Sequence, residues 1–235
     1  MSVVCIIPAR GGSKRIPRKN IKPMLGIPII GRAIRNAQAA GCFDEIMVST
    51  DDQEIADIAR EYGAAVPFLR SAATAGDHAT PSSVVGETLE NYARQDRHFD
   101  LGCCVYPTSA LLLPERLAEG RRALEANPVA ETAASVLLFS HPIQRALRIR
   151  DGLLQWVDLA AASQRTQDLE PHYHDAGQFY WFKVPVFLQK RTLLRGVVAP
   201  VPLSPLEAWD IDTPEDWETV EMLLAAREGR AIHAG

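Results

Sequence analysis

A glycine pair and a dense group of cations stand near the start of the chain, directly after a short apolar run. The run covers residues 3–7 and is rich in β-branched side chains, which is typical of a buried parallel strand. Gly11 and Gly12 follow, and paired glycines let backbone N–H groups approach a ligand and form an anion-accepting concavity. Five cations lie within ten residues around this pair, namely Arg10, Lys14, Arg15, Arg18 and Lys19. Such a density of positive charge beside a flexible turn predicts a loop that binds a polyphosphate.

A solvated basic loop is the alternative interpretation of the same residues on composition alone. Residues 8–20 contain neither the G-x-x-x-x-G-K-[ST] spacing of a P-loop nor the G-x-G-x-x-G fingerprint of dinucleotide-binding proteins. The prediction therefore depends on the charge, the glycines and the position of the loop after a strand. In open α/β sheets, ligands bind at the carboxyl ends of the strands.

A second candidate site is the segment Asp210-Ile211-Asp212 near the end of the chain. In an extended segment, residues two apart point the same way, so both carboxylates face one spot while Ile211 packs behind them. Two carboxylates suit Mg²⁺, which keeps several waters and binds substrate phosphates. The alternative is that one carboxylate caps a helix beginning at Thr213-Pro214 and the other is solvated. Together, loop and carboxylates predict in-line attack of a hydroxyl on the α-phosphate of a nucleotide, with pyrophosphate leaving.

Length, composition and charge narrow the class of protein. At 235 residues the chain can bury a substantial core, and we expect a single domain over residues 1–235. The net charge of −4 argues against nucleic acid as a partner, and no apolar run approaches the ~18 residues that cross a membrane. The amino terminus does not have the layout of a signal peptide, and the four cysteines lack C-x-x-C spacing. We therefore expect a cytoplasmic protein with free thiols.

The elements that must position these residues alternate between strands and helices. The apolar periodicity predicts strands at 3–7, 45–49, 65–68, 101–106, 133–139, 178–183 and 197–203. It predicts helices at 29–40, from Thr50 or Asp51 to Gly63, from Pro81 onward, at 114–125 and from Thr213-Pro214 onward. This order is typical of an α/β fold with a mostly parallel sheet and right-handed crossovers.

One segment interrupts the alternation. Residues 141–176 have no helical period, and Asp151-Gly152 predicts a hairpin turn between residues 146–149 and 153–157. We interpret 141–176 as a β-arm inserted into the domain. An apolar hairpin on the surface is marginally stable alone, so we expect a second subunit to cover it.

Four motifs together resemble the CMP-sialic acid synthetase family of cytidylyltransferases. The opening motif is Ile7-Pro8-Ala9-Arg10-Gly11-Gly12-Ser13-Lys14-Arg15-Ile16-Pro17-Arg18-Lys19-Asn20-Ile21-Lys22. The later motifs are Ser49-Thr50-Asp51-Asp52, Pro107-Thr108-Ser109 and Asp210-Ile211-Asp212, and the resemblance covers nearly the whole chain. Within the family, residues 66–70 and 173–181 are most similar to the branch that activates pseudaminic acid.

The resemblance implies a Rossmann-like three-layer α/β/α nucleotidyltransferase fold, of the nucleotide-diphospho-sugar transferase type, with a β-arm that makes a homodimer. It implies that CTP and pseudaminic acid, a nine-carbon sugar acid, react with Mg²⁺ to give CMP-pseudaminic acid and diphosphate. The same reaction on N-acetylneuraminate, legionaminate or 3-deoxy-manno-octulosonate is the nearest alternative. A non-catalytic nucleotide-binding module and an NAD-dependent oxidoreductase are alternatives of other classes, and the missing glycine fingerprint counts against the oxidoreductase.

The resemblance also implies a role for individual residues. Lys19, Arg10 and Asp212 would act in catalysis, with Lys19 stabilising the α-phosphate in the transition state, and Asp210 and Asp212 would hold Mg²⁺. The nucleotide would be bound by Arg10, Gly11, Gly12, Ser13, Lys14, Lys19, Asn20, Arg70, Asp77, Thr80 and Ser82. The sugar acid would meet Thr108, Ser109 and Gln178, with Arg165 reaching in from the arm of a second subunit.

Overall fold

A six-stranded sheet forms the centre of the protein, in a computed structural model that describes residues 1–76 and 79–229. The strands are β1 (Val3–Pro8), β2 (Pro23–Met24), β3 (Ile27–Pro28), β4 (Glu45–Ser49), β5 (Leu101–Val105), β6 (Thr132–Leu138), β7 (Leu147–Arg150), β8 (Leu153–Trp156), β9 (Tyr173–Lys183) and β10 (Val198–Pro202). The helices are α1 (Ile29–Ala39), α2 (Gln53–Glu61), α3 (Ala72–Ala75), α4 (Pro81–Ala93), α5 (Pro114–Ala126), α6 (Val184–Lys190) and α7 (Pro214–Glu228).

The central sheet has the strand order β10-β6-β9-β5-β1-β4 and is mostly parallel. β1 runs parallel to β4 and β5, and β10 runs parallel to β6, whereas β9 is antiparallel to both of its neighbours. β2 pairs with β3, and β7 pairs with β8, in separate two-stranded sheets.

Both faces of the central sheet are covered by helices, which explains why β1 is apolar along its whole length. Cys5 and Ile7 face a core that contains residues of α1, α2 and α5. Val4 and Ile6 face the opposite core, with residues of α4 and α6. Successive residues of a strand point to opposite faces, so a strand between two helical layers needs apolar side chains at every position. The predicted three-layer α/β/α fold is confirmed.

The topology brings distant segments of the chain to one edge. Because β1, β4, β5, β6 and β10 run in the same direction, the loops that follow β1, β5 and β10 meet at their carboxyl ends. β9 is antiparallel, so its amino-terminal half lies at this same edge. The loop after β1 and the segment after β10 are therefore neighbours in space although about 190 residues separate Lys19 from Ile211.

Three local predictions differ from the structure. Residues 65–68 do not form a strand, since only Ala65 makes a bridge, to Met47, and Pro67 has no N–H to continue the pairing. α2 is capped by Asp52, whose side chain accepts a hydrogen bond from the Ile55 N–H, and not by Thr50 or Asp51. α6 was not predicted, because seven residues directly after a buried strand show too few turns for a helical period.

The hairpin at Asp151-Gly152 is confirmed. β7 and β8 pair antiparallel with Arg150 opposite Leu153, and both turn residues have positive φ, 52° and 75°. Two positive φ angles in a two-residue loop match the twist of the flanking strands. β9 begins at Tyr173, so the last residues of the segment assigned to the arm belong to the central sheet. Within residues 1–76 and 79–229, no helix is both long and apolar enough to cross a bilayer.

Candidate active site

A cavity of about 440 Å³ lies at the carboxyl edge of the sheet, between the loop after β1 and the segment after β10. The residues around it come from both of these segments, from the loop before α4 and from the loop after β5. Its lining consists of Pro8, Arg10, Ser13, Arg15, Lys19, Asn20, Arg70, Ala79, Pro81, Val84, Tyr106, Pro107, Thr108, Asp210 and Asp212. The cavity therefore brings together the cationic loop and the two carboxylates, which the sequence predicts to act on one nucleotide.

The glycine–lysine loop, residues 10–20, is held at its two ends. The buried amide of Asn20 donates to the Arg10 carbonyl at 2.9 Å, which closes the loop on itself. The Gly11 N–H donates to Asp51 Oδ1 at 3.1 Å, and a Cβ at Gly11 would lie 2.5 Å from Asp52 Oδ2. A residue larger than glycine would have to displace the Asp52 side chain, so Gly11 suits the close approach of the loop to the start of α2.

The cations of the loop separate into two groups. Arg10, Arg15 and Lys19 line the cavity, whereas Lys14 is exposed and is not one of its lining residues. Arg18 has a left-handed backbone, with φ of 54°, and its guanidinium binds both carboxylate oxygens of Asp52 and also Glu54. These bonds lower the pKa of Asp52, with the Arg18 hydrogen bond as the main cause. Arg18 thus fastens the loop to α2 instead of facing the cavity.

The acidic segment, residues 209–213, presents its two carboxylates to the same cavity. Ile211 is fully buried in a core with Ile16 and Trp217, and Asp210 and Asp212 on either side of it line the cavity. The predicted orientation of the pair is confirmed. The capping alternative is wrong, because the Thr213 side chain caps α7 and accepts from the Asp216 N–H at 3.2 Å.

The loop and the acidic segment are in direct contact. Lys19 Nζ donates to the Ile211 carbonyl at 2.5 Å and lies 3.7 Å from Asp212 Oδ1. Arg15 forms an ion pair with Asp212, with Nη1 2.8 Å from Oδ2. Burial lowers the pKa of Lys19, and the charges of Asp212 and Asp210 oppose this effect. Desolvation, followed by the charge of Asp212, raises the pKa of Asp210.

The donor set of the acidic segment fits a hard cation with few protein ligands. Asp210 and Asp212 line the same cavity, and a cation placed between two carboxylates offsets their mutual repulsion. In the described part of the chain, no group of three or more histidine, cysteine, aspartate or glutamate side chains is arranged to hold a metal. Two carboxylates alone suit Mg²⁺, which takes its remaining ligands from water and substrate phosphates.

Arg70 closes the cavity on the side of β4. Its Nη2 donates to the Ser49 carbonyl at 2.5 Å and its Nε to Ser49 Oγ at 3.2 Å. Its own backbone N–H donates to the Thr50 carbonyl at 2.7 Å. Burial lowers the pKa of Arg70. The side chain is therefore fixed by backbone groups rather than by an acidic partner.

Several residues with a predicted role lie away from the lining of this cavity. Ser109 and Gln178 are buried: Ser109 Oγ donates to the Gln178 carbonyl at 2.9 Å, and the Gln178 amide nitrogen donates to the Ala176 carbonyl at 2.8 Å, whereas its amide oxygen is buried without a hydrogen-bond partner. Thr80 caps α4 by accepting from the Ser83 N–H. Arg165 is on the arm, where it lies 3.9 Å from Asp168. Gly12 is exposed in the loop, and Asp77 lies outside the described residues.

A second cavity of about 350 Å³ shares Pro81 and Tyr106 with the first. It is also lined by Ser82, Asp175, Tyr180, Thr192, Leu193, Leu194 and Arg195. Tyr180 Oη donates to Asp175 Oδ2 at 2.6 Å, which gives this cavity a fixed polar wall.

Sequence reasoning assigned no role to Tyr106, Tyr180 or Arg195, and it included Arg15 only as one of the five cations of the loop. Residues 179–182 were predicted only as part of a strand of the core. The sequence does not show that this strand is antiparallel and brings its amino-terminal half to the carboxyl edge of the sheet, where Tyr180 lines the second cavity. The signal that could have found Arg15 is its position inside the cationic loop.

Comparisons with known proteins agree with this geometry. A family model described as cytidylyltransferase matches residues 4–234. A pseudaminic acid cytidylyltransferase from Campylobacter jejuni is 37% identical over 99% of this chain and 100% of its own. A CMP-N,N'-diacetyllegionaminic acid synthase from Legionella pneumophila is 34% identical over 95% of this chain and 97% of its own. A solved structure of CMP:2-keto-3-deoxy-manno-octonic acid synthetase complexed with CTP shares the fold, with a TM-score of 0.72. The match covers 97% of this chain and 100% of the other, and the two sequences are 17% identical. The chain therefore belongs to the cytidylyltransferase family.

Proposed function

We propose that this protein transfers CMP from CTP to a nine-carbon sugar acid, pseudaminic acid, and releases diphosphate. The observation that carries the proposal is the contact between the cationic loop and the acidic segment, where Lys19 Nζ lies 3.7 Å from Asp212 Oδ1. One cavity then offers cations for a triphosphate and carboxylates for its metal ion. The choice of sugar acid is supported by the full-length similarity to the Campylobacter enzyme.

The cations of the loop bind and orient the triphosphate. Arg10 has a planar guanidinium that binds phosphate oxygens in pairs, and Lys19 is a compact point charge. Lys19 is held in place by the Ile211 carbonyl, so it needs little reorganisation when negative charge develops on the α-phosphate. Arg70, fixed by Ser49, would bound the nucleoside end of the cavity.

Asp210 and Asp212 would hold the Mg²⁺ ion. When bound there, Mg²⁺ would neutralise phosphate charge and orient the triphosphate for in-line displacement. Arg15 and Lys19, which contact Asp212, hold this carboxylate at the cavity.

The second cavity would bind the sugar acid. Arg195 could bind the sugar carboxylate through its guanidinium fork, and the Tyr180–Asp175 pair offers an acceptor for sugar hydroxyl or amide groups. Thr108 lies on the nucleotide side, in the lining of the first cavity. The anomeric oxygen would form a bond to the α-phosphorus while the bond to diphosphate breaks, and the hydroxyl proton would pass to water.

The assay that tests this function is diphosphate release from CTP and Mg²⁺ with a panel of sugar acids. The panel contains pseudaminate, N,N'-diacetyllegionaminate, N-acetylneuraminate and 3-deoxy-manno-octulosonate. We expect the highest kcat/KM with pseudaminate. If another sugar acid of the panel gives a higher kcat/KM, the proposed reaction stands but pseudaminate is not the preferred substrate. If no sugar acid of the panel is turned over, the proposed reaction is wrong.

We also propose that the arm makes a homodimer. Large apolar side chains are exposed on and after the hairpin: Leu147, Ile149, Leu153, Leu154, Val157 and Leu159. Leu147, Ile149, Leu154 and Trp156 share one face of β7 and β8, since they occupy directly opposed register positions. A continuous apolar face on a hairpin is typical of an interaction surface, and the predicted reach of Arg165 into the cavity of a second subunit depends on such a dimer.

The dimer is tested by the mass in solution. We expect light scattering to give twice the chain mass for the native protein, and the mass of one chain for Leu154→Glu. Leu188→Glu, which places the same charge at an exposed position on α6, serves as the matched control and should remain dimeric. A native mass of one chain would contradict the dimer.

A further inference from the structure

One carboxylate outside the cavity is bonded to both ends of the acidic segment. Asp216 Oδ2 accepts hydrogen bonds from the Asp212 N–H at 3.0 Å, the Thr213 N–H at 2.8 Å and Thr213 Oγ1 at 2.9 Å. Asp216 Oδ1 accepts from the indole N–H of Trp209 at 3.2 Å. Asp216 therefore holds the segment at Trp209 and at Asp212, on either side of Asp210 and Ile211.

Helix capping explains only part of this arrangement. A capping box requires a reciprocal pair of bonds between the N-cap residue, here Thr213, and the third residue of the helix, here Asp216. The bonds to the Asp212 N–H and to the Trp209 indole are additional, because neither group belongs to the helix. They restrain the segment that carries the carboxylate pair.

The hydrogen bonds to Asp216 add to the contacts that Ile211 makes, in the middle of the acidic segment, with the core and with Lys19. Ile211 is fixed through its buried side chain and through its carbonyl, which accepts from Lys19 Nζ. The Ile211 carbonyl and the Asp212 N–H belong to one planar peptide unit, so Lys19 and Asp216 hold this unit from its two sides. With both ends fixed, the two carboxylates keep one separation, and metal ligands depend on such supporting hydrogen bonds for their affinity.

We propose that Asp216 is a positioning residue that holds Asp210 and Asp212 in the arrangement that binds the metal ion. This role rests on the proposed metal-binding function of the two carboxylates. Asp216 is not one of the residues that line the cavity, so it acts through the segment rather than by touching the nucleotide.

Two substitutions separate positioning from capping. Glutamate is a standard residue at the third helix position of a capping box, so Asp216→Glu retains the cap while the added methylene displaces the carboxylate from Asp212 and Trp209. Thr213→Ala has the opposite effect, because it removes the capping hydroxyl and leaves the backbone N–H bonds to Asp216 in place. The measurements are the melting temperature and Mn²⁺ affinity, the latter from water-proton relaxation of the full-length protein saturated with CTP, without sugar acid.

We expect Asp216→Glu to weaken Mn²⁺ binding by about 10-fold, the lower end of the effect of removing a supporting partner of a metal ligand. Its melting temperature should stay near that of the native protein. Thr213→Ala should melt at a lower temperature, since the helix loses its N-cap, and should bind Mn²⁺ as the native protein does.

The proposal is overturned if Asp216→Glu binds Mn²⁺ no more weakly than Thr213→Ala does. Asp212→Asn, measured in the same way, distinguishes this failure from failure of the proposed function. If Asp212→Asn weakens Mn²⁺ binding and Asp216→Glu does not, the carboxylates bind metal without help from Asp216. If Asp212→Asn also has native affinity, the metal site itself is wrong.

Discussion

The cationic loop of residues 10–20 and the acidic segment of residues 209–213 both line one cavity, and they are fixed in different ways. The loop buries Ile16 beside Ile211 and is closed by the Asn20 amide on the Arg10 carbonyl, but it is linked to α2 by side-chain charge, through the Arg18 guanidinium on Asp52 and Glu54. The acidic segment is fastened by a buried side chain, Ile211, and by backbone N–H groups that donate to Asp216.

We therefore call the cationic loop the adjustable wall of the cavity and the acidic segment its rigid wall. Partly exposed ion pairs contribute little to stability and are screened by salt, so the link between the loop and α2 is the contact of the two walls that a charged ligand disturbs most easily. A buried side chain with backbone hydrogen bonds is less sensitive to salt. The carboxylates can therefore keep their separation while the cations close on the phosphates, and Lys19 connects the two walls.

The largest effect should come from the residue that joins the walls. We expect Lys19→Ala to lower kcat by about 10²–10³, because it removes a fixed charge from the site where negative charge develops. Steady-state kinetics at saturating CTP and sugar acid measure this. The matched control is Lys22→Ala, since Lys22 lies over the Trp217 ring, 4.5 Å from its centroid, and does not line the cavity. A higher KM with unchanged kcat in Lys19→Ala would show that Lys19 acts only in binding.

A smaller effect should follow from loosening the adjustable wall alone. Asp52→Asn can still cap α2 but loses its charge toward Arg18. We expect KM for CTP to rise by up to about fivefold with kcat nearly unchanged, because partly exposed ion pairs are worth about 0.2–1 kcal/mol. Asp57→Asn, on the same helix and paired with Arg60, should leave both constants unchanged. A large fall in kcat for Asp52→Asn would show that the loop is as rigid as the acidic segment.

The smallest effect should appear in the pH dependence of stability. The pKa of Asp52 is lower in the folded protein than its ordinary value, so the ion pair with Arg18 contributes stability above the ordinary pKa, about 3.9. This contribution is lost as the pH falls through the folded-state pKa. We expect urea unfolding to show native protein more stable than Asp52→Asn at pH 6, with the difference shrinking below about pH 4. A difference that grows on acidification would contradict the ion pair.

The sequence contained enough information for the layers of the fold and for the meeting of the two walls. Residues 3–7 are apolar at every position, which indicates a strand covered on both faces, and the order of elements fixes which loops share an edge. Asp210 and Asp212 flank an apolar residue, so their common direction follows from the geometry of an extended chain.

The remaining features depend on tertiary contacts that no local pattern encodes. Arg18 has the same charge as Arg15, but a left-handed backbone turns it toward α2, and its partners lie more than thirty residues away in the sequence. Ser109 and Gln178 carry polar side chains typical of a ligand site, yet both are buried outside the lining of the cavity and donate hydrogen bonds to backbone carbonyls. Pairing partners of this kind become visible only when the chain is folded.

The most direct test is a crystal structure of the protein with CTP and Mg²⁺. We expect the α-phosphate within hydrogen-bonding distance of Lys19 Nζ, and a metal ion bound to the triphosphate and to oxygens of both Asp210 and Asp212 at about 2.0–2.1 Å. A triphosphate that is bound by the loop while its metal ion contacts neither aspartate would contradict the joint site.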